Sequence, residues 1–386
     1  MPVARGDAVA LTSELVRVDS RNPSLVPGAP GELQVARALA SVLDSWGFVA
    51  ELDEAVPGRP NVIARVGAPG TRSIMFNGHI DVVGVEGMSH EPWTGEVIGE
   101  RLYGRGAADM KGGVAAMCAA AARAVDGGLA GELIIAAVVD EEYRSAGTRR
   151  LVERGLRADV GIVTEPTSLG IMPAHKGFVW VEIAVHGRAA HGSRWDLGVD
   201  AIRHAGMILA ELDGLDAEVL PTRSHPLLGR PSVHASTVTG GTGMSTYPER
   251  CVLCIERRTI PGESPEQVMD EVRDACERAS RARPAFHAEV RMVLAQPPSD
   301  VSTDAPIVRT LDAAIRGSGL PVRLEGMSAW TDAAILNDAG IPAVCFGPGD
   351  IALAHAAEEY VPVVEIERAT DVLTRVALDW CGGRSR

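Results

Sequence analysis

Histidine and carboxylate side chains recur in this sequence at points where short apolar segments end. His79 and Asp81 follow one such segment, Glu141 and Glu142 follow a second, and Glu165 follows a third. Imidazoles and carboxylates together supply the nitrogen and oxygen ligands that suit zinc in proteins. One such pair arises easily by chance, but several of them at segment ends indicate a metal centre.

Two further residues extend this set of potential ligands. Asp109 opens a helix after the turn Gly104-Arg105-Gly106, and His355 follows the loop Gly347-Pro348-Gly349. A single catalytic zinc ion usually takes two or three imidazoles, whereas a carboxylate-rich set with a shared aspartate suits a pair of ions. We therefore predict two divalent metal ions per chain, Zn²⁺ first, with Co²⁺ or Mn²⁺ as alternatives.

The elements that position these residues alternate between apolar strands and helices. We predict strands at 73–77, 132–139 and 160–163, and helices at 32–46 and 110–126. This alternation is typical of an α/β layer with a mostly parallel sheet flanked by helices. Loops at the carboxyl ends of such strands converge on one crevice, and the candidate ligands fall in those loops.

The middle of the chain has a different pattern. Its strands and helices follow the order β-α-β-β-α-β, which is ferredoxin-like. We therefore expect an inserted lid and dimerisation domain at 175–290. The remaining segments, 1–174 and 291–386, would form the metal-binding catalytic domain, and 386 residues are enough for two domains.

Taken together, the motifs resemble those of one known family. It comprises acetylornithine deacetylase, succinyl-diaminopimelate desuccinylase and the carboxypeptidase G-type di-zinc amidohydrolases. The resemblance extends over essentially the whole chain, and the segments that carry it are His79-Ile80-Asp81, Gly104 to Gly113 (GRGAADMKGG), Asp140-Glu141-Glu142, Thr164-Glu165-Pro166 and His355.

The resemblance implies how the metal ligands are divided between two ions. His79, Asp109 and Glu165 would hold one ion. Asp109 would bridge to the other ion, which Glu142 and His355 would also hold.

Two more carboxylates of the motifs have implied roles. Asp81 would orient the imidazole of His79 and fix its tautomer. Glu141 would be the general base: a water bridging the ions becomes hydroxide near neutral pH, and Glu141 would pass the proton to the leaving amine.

The resemblance also implies substrate contacts in the inserted domain. His191 would reach the active site of the partner subunit in a homodimer and stabilise the oxyanion. Arg258 would bind the free carboxylate of the substrate as a bidentate pair, with Arg257 as the alternative on the opposite strand face. Lys176, in His175-Lys176-Gly177, would contact substrate as part of a lid segment.

Three positions bear on the substrate and the metal less directly. Ser245 stands in Ser245-Thr246-Tyr247-Pro248, where the family usually has Asn. Thr331 is a candidate to line the substrate pocket together with Trp330, although Trp330 fits the core equally well. Glu358 stands where Asn or Asp is common after the histidine ligand, which bears on the metal that is preferred.

Lysine usage singles out two positions. The chain has 37 basic residues but only two lysines, Lys111 and Lys176. A position that stays lysine where arginine is otherwise used indicates a need for a compact ammonium group. We therefore expect both positions to reject arginine.

Composition limits the partners. The net charge of −14 argues against nucleic acid or an anionic membrane surface. The longest apolar run, 114–122, is too short for a membrane span, and no targeting segment is apparent. Six scattered cysteines are typical of reduced core thiols, so we expect a cytoplasmic protein.

These observations predict a hydrolase that cleaves the amide bond of a small N-acyl amino acid. A carboxypeptidase or dipeptidase on the same scaffold is the first alternative. The second is a catalytically silent protein that binds an amino-acid derivative or serves in an assembly, but an intact Glu141 and a full ligand set argue against it.

Overall fold

The computed structural model describes residues 3–69, 72–281 and 283–382. The chain divides into two compact units. The first comprises the described residues within Met1–Pro173, Val301–Glu325 and Thr331–Arg386, and the second comprises those within Ala174–Asp300 and Gly326–Trp330.

The regular elements are numbered in chain order. The helices are α1 Ala8–Val16, α2 Leu33–Ser45, α3 Gly112–Asp126, α4 Ala146–Glu153, α5 Ala201–Gly214, α6 Pro265–Ser280, α7 Pro306–Gly317, α8 Ala333–Asp338 and α9 Val363–Cys381. The strands are β1 Ala50–Val56, β2 Arg59–Gly67, β3 Ser73–His79, β4 Val97–Ile98, β5 Arg101–Tyr103, β6 Glu132–Val138, β7 Val160–Val163, β8 Ile171–His175, β9 Gly177–His186, β10 Ser232–Gly240, β11 Arg250–Thr259, β12 His287–Gln296, β13 Ser299–Asp300, β14 Leu324–Met327, β15 Ala343–Cys345 and β16 Tyr360–Pro362. None of the helices in the described ranges is both long and apolar enough to cross a membrane.

A mixed sheet forms the centre of the first unit, in the order β1-β2-β6-β3-β7-β15-β8. The strands β6, β3, β7 and β15 run parallel to one another, whereas the outer pairs are antiparallel. Strands β3, β6 and β7 are buried throughout, because their apolar side chains are covered on both faces. The predicted α/β class is confirmed, and its parallel strands are the central ones.

Helix α3 begins later than the sequence pattern predicts. Asp109 has φ −118° and ψ 90°, and Met110 is also non-helical, so the helix starts at Gly112 rather than near Met110. The peptide bond between Asp109 and Met110 is cis. A Cβ at Gly113 would overlap the backbone oxygen of Thr164, so glycine lets this helix approach the end of β7 closely.

The second unit contains a four-stranded antiparallel sheet in the order β10-β11-β9-β12. Helices α5 and α6 contribute to its core, with Ile208, Leu212 and Val272 among the buried side chains. The element order β9-α5-β10-β11-α6-β12 is the β-α-β-β-α-β arrangement. The Ser264 side chain caps α6 by accepting from the Gln267 amide at 3.2 Å.

The second unit extends further along the chain than the predicted inserted domain. Its longer segment runs to Asp300, past residue 290, and Gly326–Trp330 belong to this unit as well. Strand β12 continues to Gln296, and β13 then pairs with β8 through Ser299 and Asp300. These backbone hydrogen bonds hold residues 291–300 in the second unit.

Candidate metal centre

The candidate ligands lie where the parallel strands end. His79 is the last residue of β3, Glu141 and Glu142 follow β6, and Glu165 follows β7. His355 lies beyond β15, the fourth parallel strand. Because parallel strands end at the same edge of a sheet, residues far apart in sequence meet there.

Five of these side chains form two groups that share one carboxylate. One group is His79, Asp109 and Glu165, and the other is Asp109, Glu142 and His355; within each group the potential ligand atoms lie within 4.8 Å of one another. The two oxygens of Asp109 face different histidines: Oδ1 is 3.0 Å from Nε2 of His79, and Oδ2 is 3.5 Å from Nε2 of His355. The structure thus brings together the five predicted ligands, with Asp109 between two histidines.

Burial gives this cluster unusual electrostatics. Burial and the Asp109 carboxylate raise the pKa of Glu165 well above its usual value. Burial also raises the pKa of Glu141 and Glu142. The pKa of the His355 imidazole is also raised, to about 9, and the main cause is its hydrogen bond to Glu142.

These shifts provide a test of whether metal ions suit the site. A raised pKa means that a buried carboxylate has too little positive charge nearby to stay ionised at a pH where an exposed carboxylate would be ionised. Divalent cations would supply that charge, and imidazole with carboxylate is a ligand set suited to zinc. The residues present therefore fit two divalent ions.

The backbone of Asp109 is fixed by a residue that sequence reasoning missed. The buried carboxylate of Glu359 accepts from the amides of Ala108 at 3.1 Å and Asp109 at 3.2 Å. Arg105 pairs with the same carboxylate at 2.6 Å. The sequence signal was position: Arg105 lies in the Gly104–Gly113 motif, and Glu359 lies four residues after His355. Glu358, which bore on the metal preference, is exposed.

Asp81 contacts His79 in a different way from the predicted one. The backbone oxygen of Asp81, 2.9 Å away, accepts from Nδ1 of the imidazole, while its carboxylate is 3.7 Å from that nitrogen. The carboxylate instead accepts from the amides of Glu141 at 3.1 Å and Glu142 at 3.2 Å. Asp81 therefore orients both the imidazole and the loop after β6.

Glu141 lies beside the ligands without belonging to either group of three. Its Oε2 is 3.9 Å from Nε2 of His79.

Asp332 is a second residue that the sequence motifs did not single out. It is buried, and burial raises its pKa to about 6. Its carboxylate accepts from the hydroxyl of Thr148 at 2.6 Å.

The two lysines occupy different environments. Lys111 is fully buried, and its ammonium donates to the backbone oxygens of Leu15 at 3.0 Å and Val18 at 2.9 Å. Burial lowers the pKa of Lys111 to about 7. Lys176 is only partly buried and donates to the Arg230 backbone oxygen at 2.7 Å. The structure gives a steric reason for a compact ammonium at Lys111 alone.

Burial distinguishes the two arginines of β11 in the second unit. Arg257 is 1% exposed and pairs with Glu263 at 2.5 Å and Glu271 at 3.2 Å. The Arg258 side chain is 31% exposed and pairs with Glu256 at 2.6 Å. Arg257 is therefore committed to the interior, and of the two only Arg258 is accessible to a ligand.

The remaining predicted residues differ in accessibility. His191 is exposed, with Nδ1 2.9 Å from the Ser193 hydroxyl, and Ser245 is exposed as well. Thr331 is fully buried, and its hydroxyl lies 3.2 Å from Sγ of Cys345. Trp330 is 8% exposed, and its indole donates to a backbone oxygen. Thr331 is thus enclosed by its neighbours and contacts Cys345.

The chain is similar to known proteins over most of its length. Residues 75–379 match Peptidase family M20/M25/M40. The chain is 34% identical over 384 residues to an acetylornithine deacetylase of Myxococcus xanthus, with 97% of this chain and 98% of that protein covered. It is 29% identical over 376 residues to an N-formyl-4-amino-5-aminomethyl-2-methylpyrimidine deformylase of Bacillus subtilis (strain 168), covering 89% and 88%. Among solved structures, an M20 family metallo-carboxypeptidase from Sulfolobus solfataricus has a TM-score of 0.83 at 18% identity, covering 97% and 99%, which shows a shared fold.

Proposed function

The chain belongs to peptidase family M20/M25/M40, as its motifs indicated, and is a metal-dependent hydrolase of amide bonds; we propose that it removes the acyl group from a small N-acyl amino acid. The observation that carries this proposal is Glu141 beside two ligand groups that share Asp109. The 34% identity to an acetylornithine deacetylase over nearly the whole chain favours an N-acyl amino acid over a peptide.

Two divalent ions, most simply Zn²⁺, would be held at this centre. His79, Asp109 and Glu165 would hold one, and Asp109 with Glu142 and His355 the other. Bound ions of this kind supply Lewis acidity, which polarises the amide carbonyl and makes the attacking water more acidic.

Glu141 would act as the general base. Its carboxylate lies beside both ligand groups without belonging to either, which leaves its oxygens available to accept a proton. It takes one proton from the water that attacks the carbonyl carbon. The same proton then passes to the nitrogen as the C–N bond breaks, so the products are a carboxylic acid and an amine.

Arg258 and Lys176 of the second unit would bind the carboxylate of the amino-acid part. Burial and the positive charges of Arg258, Arg230 and Arg257 lower the pKa of Lys176. This cluster of positive charge favours an anionic group as a ligand, and the planar guanidinium of Arg258 suits a bidentate carboxylate.

A homodimer would complete the site. Strand β10 lies at the edge of the second unit's sheet and is largely exposed, and Val238 is 62% exposed. An exposed sheet edge can pair with a second copy of the chain. His191, exposed in the same unit, would serve the partner subunit as a donor to the oxyanion. The six free thiols, five of them buried, suit a reducing compartment such as the cytoplasm.

A substrate panel tests the proposed activity. Metal-reconstituted protein would be assayed with N-acetyl, N-succinyl and N-formyl amino acids and with dipeptides of the same residues. We expect kcat/KM to be highest for an N-acyl amino acid. A preference for dipeptides would identify a peptidase, and binding without turnover of any member would identify a silent protein.

A further inference from the structure

A buried polar cluster lies behind the loop that carries Glu141. Its centre is Oδ1 of Asp140, the residue immediately before Glu141. That oxygen is 2.9 Å from a guanidinium nitrogen of Arg59 and accepts from the side-chain amide of Asn22 at 3.1 Å. Asp140 is 3% exposed, Asn22 is fully buried, and Arg59 is 7% exposed.

The backbone explains why Asp140 needs support. Its φ is +67°, the left-handed conformation that few side chains other than Asp and Asn adopt readily. The Asp140 backbone oxygen accepts from the amides of Arg144 at 3.0 Å and Ser145 at 2.6 Å, which closes the loop as a tight turn. The direction of the next two side chains, Glu141 and Glu142, depends on this conformation.

Arg59 is itself fixed from the other side. Its guanidinium makes a bidentate pair with the fully buried Glu32, at 2.7 Å and 2.5 Å. Asn22 connects the cluster to Asp81, donating to its carboxylate at 2.9 Å. The loop is thus held in two ways. The Asp140 side chain is fixed by Arg59 and Asn22, and the Asp81 carboxylate accepts hydrogen bonds from the amides of Glu141 and Glu142.

The geometry points to Arg59 as a positioning residue: held by Glu32, it fixes Asp140 and thereby directs the Glu141 carboxylate. This inference rests on the proposed role of Glu141. Arg59 contacts neither group of potential metal ligands, so its effect on the reaction is indirect. A displacement of about 1 Å at a reacting group can lower a rate about 100-fold.

The double variant Arg59→Leu/Glu32→Leu tests the inference. It removes both partners of the Arg59–Glu32 pair and leaves the buried Asp140 carboxylate without its cation, so the free energy of unfolding is measured together with activity. We expect kcat to fall about 10- to 100-fold while KM stays within about twofold of wild type. The matched control is Arg65→Leu/Glu132→Leu, which removes the 2.8 Å pair between β2 and β6 and should leave kcat unchanged.

A conservative change should reverse the effect. In the double variant, Asp140 keeps a buried charge without its cation. Adding Asp140→Asn keeps the accepting oxygen and a residue suited to positive φ while removing that charge, so kcat should recover to within about threefold of wild type. Because removing that charge also restores stability, kcat is compared under conditions where every variant is fully folded, so that the recovery reports the position of Glu141.

Hydrogen exchange gives a readout that needs neither metal nor substrate. In metal-free protein, amides of 139–145 should exchange about 10-fold faster in the double variant, while those of 132–138 stay as in wild type. Unchanged loop exchange with unchanged kcat would overturn the inference. Should the double variant not fold, Asp140→Ala, which leaves the Arg59–Glu32 pair intact, must show the same loss of kcat and faster loop exchange, or the inference is wrong. Failure of the proposed function appears separately, as wild-type protein without amidase activity or as an active Glu141→Ala variant.

Discussion

His175 should make the folded protein less stable as the solution becomes mildly acidic. The imidazole is 2% exposed, its Nδ1 lies 3.0 Å from the Lys176 backbone oxygen, and its Nε2 has no hydrogen-bond partner among the described residues. Burial lowers the pKa of His175 from 6.5 to about 4. The neutral ring therefore suits the fold, and a protonated ring does not.

The sign and size follow from proton linkage. Because the folded pKa lies below the unfolded one, the unfolded chain binds the proton more strongly between pH 6.5 and pH 4, so stability falls as the pH falls through this window. Between pH 7 and pH 5 the loss that is due to His175 comes to about 2 kcal/mol.

Urea unfolding of wild type and His175→Asn at pH 7 and pH 5 measures this loss. Asparagine can still donate to the Lys176 backbone oxygen but cannot take up the proton. The variant should therefore lose about 2 kcal/mol less than wild type between the two pH values. His287→Asn, which replaces an exposed imidazole, is the matched control and should behave as wild type. Equal losses in wild type and His175→Asn would show that His175 is not neutral and buried as the structure places it.

The remaining predictions concern the metal centre and the dimer. Glu141→Ala should retain two metal ions per chain by elemental analysis while kcat falls about 100- to 10,000-fold, the usual contribution of a general base; activity within a few-fold of wild type would place the base elsewhere. Lys111→Arg should lower the free energy of unfolding by about 1–3 kcal/mol, because a larger group must enter a fully buried site, whereas the partly exposed Lys176→Arg should change it by less than about 0.5 kcal/mol; equal effects in urea unfolding would contradict the packing argument. Mixing inactive Glu141→Ala chains with inactive His191→Ala chains should restore activity, because one site of each heterodimer then has both groups; a mixture that stays inactive after confirmed subunit exchange would exclude action of His191 across subunits.

The sequence was sufficient for features that depend on neighbouring residues. Apolar runs predicted β3, which ends at His79, and β7, which ends two residues before Glu165, and the order of the motifs indicated the family. A strand end and a short motif are local properties, so periodicity and residue type are enough to find them. Strand β1 and helix α1 were not predicted, because their patterns are too weak to stand out.

Only the tertiary structure decided which distant groups meet. Glu359 fixes the backbone of Asp109 from 250 residues away, and Arg59 on β2 reaches Asp140, which follows the neighbouring strand β6. The sequence could not decide whether Arg257 or Arg258 is available to bind the substrate carboxylate. In the structure Arg257 is buried and paired with acidic residues, so only Arg258 is accessible. Contacts of this kind depend on strand order and packing, which no local pattern specifies, because the same residue types occur at many exposed positions of the chain.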